Sequence, residues 1–174
     1  VDGLVICYAA TWAQTTSLRS GFEQEMNAGL SAMLEYAKLA DAFLAIKVHP
    51  NSSPENDKFF TDALTMNNVK GLVTRFHLNY VIRAADVMVA QGPSNLCLES
   101  AIMGTPACYI QTEGFDYDHA LPYRGPDTDL PRMIGEATAT EPTDWQDFIR
   151  YYNAAHEVGD ATDKAVDAVR QLCP

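Results

Sequence analysis

The sequence predicts an α/β protein built on a doubly wound parallel sheet. Two observations carry that expectation. Short, continuously apolar segments recur along the chain, as expected of strands covered on both faces. Between them lie amphipathic segments of helical period, and strands alternating with helices imply parallel pairing through right-handed crossovers.

Each element follows in order. Residues 4–9 form the first apolar strand. Ser20-Gly21-Phe22-Glu23 then reads as a capping box, and Phe22, Met26, Leu30, Met33, Leu34 and Ala37 repeat at helical spacing. "AFLAIKVHP" gives the second strand and ends at His49-Pro50; Ser53 as cap and Pro54 at the first helical position start a helix that runs to about Met66. "VKGLVTR" is a third strand, "LNYVIRAAD" a short helix, "DVMVA" a fourth strand, "SNLCLESAIMG" a helix stopped by Gly104, and "PACYIQ" a fifth strand. Past Gln111 the alternation stops. "TEGFDYDHALPYRGPDTDLP" is rich in Gly, Pro, Asp and aromatics and reads as an ordered surface loop, with further helices near 143–156 and 162–172.

A chain of 174 residues suits one domain, here with a helical carboxyl-terminal tail at about 143–174. Its 23 acidic and 12 basic residues leave a net charge of -11, which disfavours non-specific attraction to nucleic acid or anionic membrane. No apolar run reaches membrane-spanning length and no leader precedes the first strand, so the expectation is a soluble, cytoplasmic protein. Cys7, Cys97, Cys108 and Cys173 lack paired metal-site spacing and read as reduced thiols, three of them in apolar runs.

In an open parallel sheet, ligands bind beyond the carboxyl ends of the strands, because helix N-termini and loop amides converge there. Those ends carry Thr11 and Trp12, His49, Arg75 with Phe76 and His77, and Gln91 with Ser94 and Asn95. The hydroxyl-rich stretch after the first strand, "TWAQTT", can donate to phosphate or sugar oxygens without adding charge, or can be a plain surface turn. Neither GxGxxG nor GxxxxGK[ST] occurs, so the usual dinucleotide and P-loop signatures are absent and no cofactor is expected.

"GPSNLCLESAIMGTP" offers another arrangement. Its helix start at Ser94 and Asn95 can seat a phosphate, while Glu99, about one and a half turns on, can accept from ribose hydroxyls. The plainer alternative is a capping serine and a solvated glutamate. His49 before Pro50 sits in extended backbone at a strand end and can meet phosphate as imidazolium, or serve only as a surface histidine. Asp116, Asp118 and His119 in "DYDH" are read as a solvated acidic loop, with no metal site expected.

At these residues the chain resembles a family. "CLESAIMGTP" is similar to the corresponding helix of the two-domain GT-B glycosyltransferases, among them the lipid A disaccharide synthase-like proteins. "CYAATW" and "IKVHP" are similar to the strand ends of the CDP-glycerol glycerophosphotransferases, which carry "YAPTW" and "KLHP". The resemblance covers residues 5–110. It implies a Rossmann-like sheet that forms the carboxyl-terminal, donor-binding half of a GT-B transferase for cell-surface polysaccharide or glycan synthesis. The donor would be a UDP-sugar or a CDP-glycerol-like molecule.

The resemblance also implies roles. His49 would contact the donor phosphate, Ser94 and Asn95 the diphosphate, Glu99 the ribose, and Arg75 with Phe76 the base-side wall. Thr11, Trp12 and Gln91 would complete the donor site. The general base would lie in an amino-terminal acceptor domain that this chain does not supply, so the chain alone would be inactive. A sugar-nucleotide 2-epimerase, and a non-catalytic nucleotide-binding or interaction module, remain as alternatives.

Overall fold

The structure, a computed structural model, describes residues 3–10, 22–91, 94–111 and 123–140, with isolated helical positions at 146, 149, 162, 163, 166 and 167. The apolar segments form β1 (Val5–Ala10), β2 (Phe43–Val48), β3 (Gly71–Thr74), β4 (Val87–Gln91) and β5 (Ala107–Ile110). A two-residue β6 (Arg124–Gly125) completes a six-stranded sheet of order β3-β2-β1-β4-β5-β6. Every pairing is parallel. The doubly wound parallel sheet expected from the alternation is what forms.

The connecting helices are α1 (Phe22–Leu39), α2 (Pro54–Met66), α3 (Leu78–Ala84), α4 (Asn95–Ile102) and α5 (Leu130–Ala139). Strand side chains alternate between faces, so each strand contributes to two cores. On one face Ile6, Tyr8, Leu44, Ile46, Val89 and Ile110 lie under apolar stripes of α1, α2 and α5. On the other, Cys7, Ala9, Met88, Ala90 and Tyr109 pack with Val81 and Ile82 of α3 and Cys97 and Ala101 of α4. Both faces are covered, which is why the strands read as continuous apolar runs rather than as alternating ones.

Local signals place the ends of the helices. Pro54 opens α2 where its missing N–H costs nothing, although the Ser53 hydroxyl, expected to cap, makes no capping bond. The His77 ring caps α3 by accepting from the Asn79 amide. Gly104, at φ 79, supplies the left-handed residue that stops α4.

One expectation is corrected. Within and after the stretch read as a surface loop the chain forms β6, a 3-10 turn at Asp127–Asp129 and the ten-residue helix α5. Leu130, Met133, Ile134 and Ala137 recur at helical spacing and are all buried, and Pro131 lies in the first turn, where it is tolerated. Residues 112–122, including Asp116 and His119, lie outside the described residues. The described positions in the two expected tail helices are helical.

Cys7, Cys97 and Cys108 are free, buried thiols, and Cys173 lies outside the described residues. Among the described residues no helix is long and apolar enough to cross a membrane.

Candidate functional site

Strand order reverses at β1. The chain builds outward through β2 and β3, then returns to β1's other side with β4 and continues to β5. The helix after β1 lies on one face of the sheet and the helix after β4 on the opposite face. Helices α1 and α4 therefore lie on opposite faces, and at such a reversal an open parallel sheet places its ligand crevice beyond the carboxyl ends of the strands, here those of β1 and β4.

Helix α4 begins at this crevice. Ser94 is its extended N-cap, at φ -145 and ψ 135, and the Ser94 hydroxyl accepts from the Leu96 amide at 3.2 Å. The Tyr109 hydroxyl donates to the Ser94 carbonyl oxygen, which fastens the cap to β5. The first turn of α4 carries no acidic residue, so no side chain there neutralises the positive end of the helix dipole. Asn95 is exposed at its start. Glu99 is also exposed, and its carboxylate has no partner among the described residues.

The other residues singled out from the sequence are placed differently from one another. Gln91 is turned into the core and only 2% exposed. Its Oε1 accepts from the Tyr8 hydroxyl at 2.6 Å. Arg75 reaches back over the β2–α2 connection: it grips both carboxylate oxygens of Asp57, at 2.7 and 2.9 Å, and donates to the Ser52 carbonyl at 2.8 Å. That fork clamps a loop instead of opening toward the crevice. Phe76 is 74% exposed, like Tyr80, and the two rim a groove of about 560 Å³ over Phe43, Ala45 and Leu72.

His49 is half-buried at the end of β2, and its Nδ1 accepts from the Asn51 amide at 3.2 Å. Thr11 and Trp12 lie outside the described residues. The structure thus brings Ser94 and Asn95 to the crevice mouth, while it engages Gln91 and Arg75 in holding the fold.

One polar residue at this edge escaped the sequence reading. Lys47 stands on β2 and is only 8% exposed, with its Nζ donating to the Val48 carbonyl at 2.7 Å. Across the sheet, Thr74, Lys47, Ala9, Ala90 and Tyr109 fall in register as one row on the α3–α4 face, one step short of the carboxyl edge. Burial lowers the lysine's pKa; the thiol of Cys7 opposes that shift and the nearby Arg75 adds to it. In the sequence Lys47 is one polar residue inside an apolar strand segment, and its burial is seen only in the structure.

The buried thiols are poor nucleophiles. Desolvation pushes Cys7 up to about 12, with Lys47 drawing it partly back, and pushes Cys108 up to about 12 as well. Among the described residues no group of three or more His, Cys, Asp or Glu side chains gathers to hold a metal ion.

The described residues define an α/β fold whose strand order reverses between β1 and β4, with Ser94 and Asn95 at that edge. No family model matches the chain, and no curated protein matches it. A solved structure that does match is a protein from the universal stress protein family from Burkholderia pseudomallei, at 18% identity and a TM-score of 0.34 over 61% of this chain and 94% of that one. A likeness of that size carries no argument about ligand or activity.

The GT-B expectation is corrected on these findings. Neither a family model nor a curated protein supports it. Membership of the glycosyltransferases or glycerophosphotransferases, transferase activity, a part in polysaccharide synthesis and the 2-epimerase alternative are all withdrawn, and the nucleotide-binding or interaction module has no support from the comparisons either. The quoted motifs are short, and the structure gives a fold-building reason for several of their residues. The run of "CLESAIMGTP" packs Cys97 and Ala101 against the sheet, bonds Ser100 Oγ to the Thr105 carbonyl at 2.7 Å and turns at Gly104. Those requirements belong to a strand–helix–strand unit and do not depend on a sugar nucleotide.

Proposed function

We propose that this chain binds a small phosphate-bearing molecule in the crevice between the carboxyl ends of β1 and β4. The observation that carries the reading is the reversal of strand order at β1, with the acid-free N-terminus of α4 opening beside it. A reversal of strand order is where an open parallel sheet leaves room for a ligand, and the first-turn amides of a helix offer donors and a positive potential to an anion. Ser94 and Asn95 contribute polar side chains, and His49 stands two strands from β4 at the same edge. With a net charge of -11, long-range attraction of anions is weak, so affinity must come from these local contacts.

Amide NMR of the whole chain, titrated with inorganic phosphate, pyrophosphate and ribose 5-phosphate, tests the reading. Shifts concentrated at residues 94–97, Ala10 and His49 are expected. No change with any of the three, or changes spread evenly over the surface, would rule the crevice out.

A further inference from the structure

We propose that Lys47 is the cationic seat of the anion site, taking the ligand's phosphate on its ammonium group. The proposal rests on the crevice reading above and adds the residue that supplies the charge. Three observations support it, and they are independent of the α4 terminus.

The first is position. Lys47 occupies the same registered row as Ala9 and Ala90, the residues of β1 and β4 on either side of the crevice. Its Nζ is held at the strand's end by the Val48 carbonyl. Neighbouring strands lie about 4.8 Å apart, so β2 and β4 are separated by roughly 10 Å, a gap that a phosphate ester with its substituents can bridge.

The second is the missing counter-charge. Lys58, Lys70, Arg75 and Arg132 are all substantially exposed, and each lies within 2.9 Å of a carboxylate oxygen. Lys47 is the more buried cation and has no such partner among the described residues. Among the described residues, the charged or titratable groups that face it are the Cys7 thiol on β1 and the Arg75 guanidinium after β3. Arg75 is like-charged and already satisfied by Asp57, and Cys7 is neutral because its thiol is pushed up to about 12. Among the described residues no carboxylate stands where a desolvated ammonium calls for one.

The third is unused donor capacity. An ammonium carries three N–H groups, and the structure accounts for one, to Val48. Phosphate oxygens satisfy the remainder and supply the opposite charge together. A neutral ligand would meet the hydrogen bonds and leave the charge uncompensated.

The test uses the whole chain with inorganic phosphate and pyrophosphate as probes, followed by calorimetry, in wild type, Lys47→Met and Lys47→Arg. Methionine keeps the buried stem and removes the charge; arginine keeps the charge. Wild type should bind pyrophosphate more tightly than phosphate. Lys47→Met should weaken pyrophosphate at least about tenfold, with a ligand-free melting temperature equal to wild type or higher. Lys47→Arg should stay within a few-fold of wild type.

A methionine variant that binds as tightly as wild type overturns the role of Lys47 and leaves the crevice reading standing. A wild type that binds neither probe overturns both. Should the variants fold poorly, the Lys47 side-chain NMR signal of wild type decides: pyrophosphate should raise its titration midpoint, and an unmoved midpoint overturns the proposal.

Discussion

The Tyr8 hydroxyl donates to Gln91 Oε1 at 2.6 Å, joining the two strands between which the sheet reverses direction. Both side chains lie on the α1 face and are almost completely buried. The amide also sets how closely α1 approaches. A Cβ added at Gly29 would overlap Gln91 Oε1 and stand 2.7 Å from its Cδ.

This bridge makes a prediction about Gly29. In a helix, Ala is favoured over Gly by about 1 kcal/mol. Against that, forcing a methyl group into the packed amide costs about 1–3 kcal/mol and displaces the Tyr8 bond as well. Clash wins, so Gly29→Ala should destabilise. Tyr8→Phe alone should cost about 0.5–1.5 kcal/mol by removing this buried hydrogen bond. In a double-mutant cycle by urea melts, Tyr8→Phe and Gln91→Leu together should cost less than the two added separately; simple additivity would mean the bond contributes nothing.

Two other glycines should respond in opposite directions. Gly71 is paired with Leu44, and a Cβ there would overlap the Leu44 carbonyl oxygen and lie 3.1 Å from Leu64 Cδ2. Backbone cannot yield without opening the β2–β3 ladder, so Gly71→Ala should destabilise by about 2–4 kcal/mol. Gly135 lies within α5, and nothing stands within 4 Å of the place an alanine methyl group would take, so Gly135→Ala should stabilise by about 0.5–1 kcal/mol. Thermal melts of the two single variants check both signs.

The strands and most helices were legible because burial on both faces writes itself into sequence as unbroken apolar runs, as in Val5–Ala10. Helix α5 was harder. The loop reading of residues 112–131 runs to Pro131, although the spacing of Leu130, Met133, Ile134 and Ala137 is there to be read. β6 has two residues and no pattern of its own. The edge of the sheet was legible as a place, whereas the use of each polar residue on it was not. Gln91 and Arg75 find partners 83 and 18 positions away, Tyr8 and Asp57, and such distant pairings leave no mark in local sequence. Lys47 was hidden for the converse reason: a buried cation in a strand looks like an ordinary polar interruption.

Arg75 should behave as a loop clamp. Its fork meets Asp57 and the Ser52 and Ser53 carbonyls, with its side chain 40% exposed. Lysine keeps the charge but cannot reproduce the paired, planar contact. Arg75→Lys should leave the melting temperature close to wild type and speed amide exchange at Ser52, whose N–H is bonded to the His49 carbonyl within the clamped turn. Unchanged exchange at Ser52 would show that the turn holds itself.

Alkaline pH should weaken the fold through its buried thiols. Burial raises Cys7 and Cys108 from 9.0 to about 12, and it raises Cys97 too. Between the unfolded and folded values the unfolded chain has released these protons and the native chain retains them. Native protein then binds more protons than unfolded protein, so stability falls as pH rises, by about 1.4 kcal/mol per pH unit for each thiol once the unfolded value is passed. Lys47 acts the other way. Its pKa is lowered by burial, so between the folded value and 10.5 the native chain has lost a proton that the unfolded chain keeps, and stability rises with pH. The thiols outnumber the lysine, and the net slope should be downward from about pH 9. Urea denaturation at pH 8, 9 and 10 measures it. Cys7→Ala should lower stability at pH 8 through the lost packing yet flatten the slope, and Lys47→Met should steepen it. Curves for Cys7→Ala and wild type that fall in parallel would show that the Cys7 thiol ionises in the native protein as readily as in the unfolded chain.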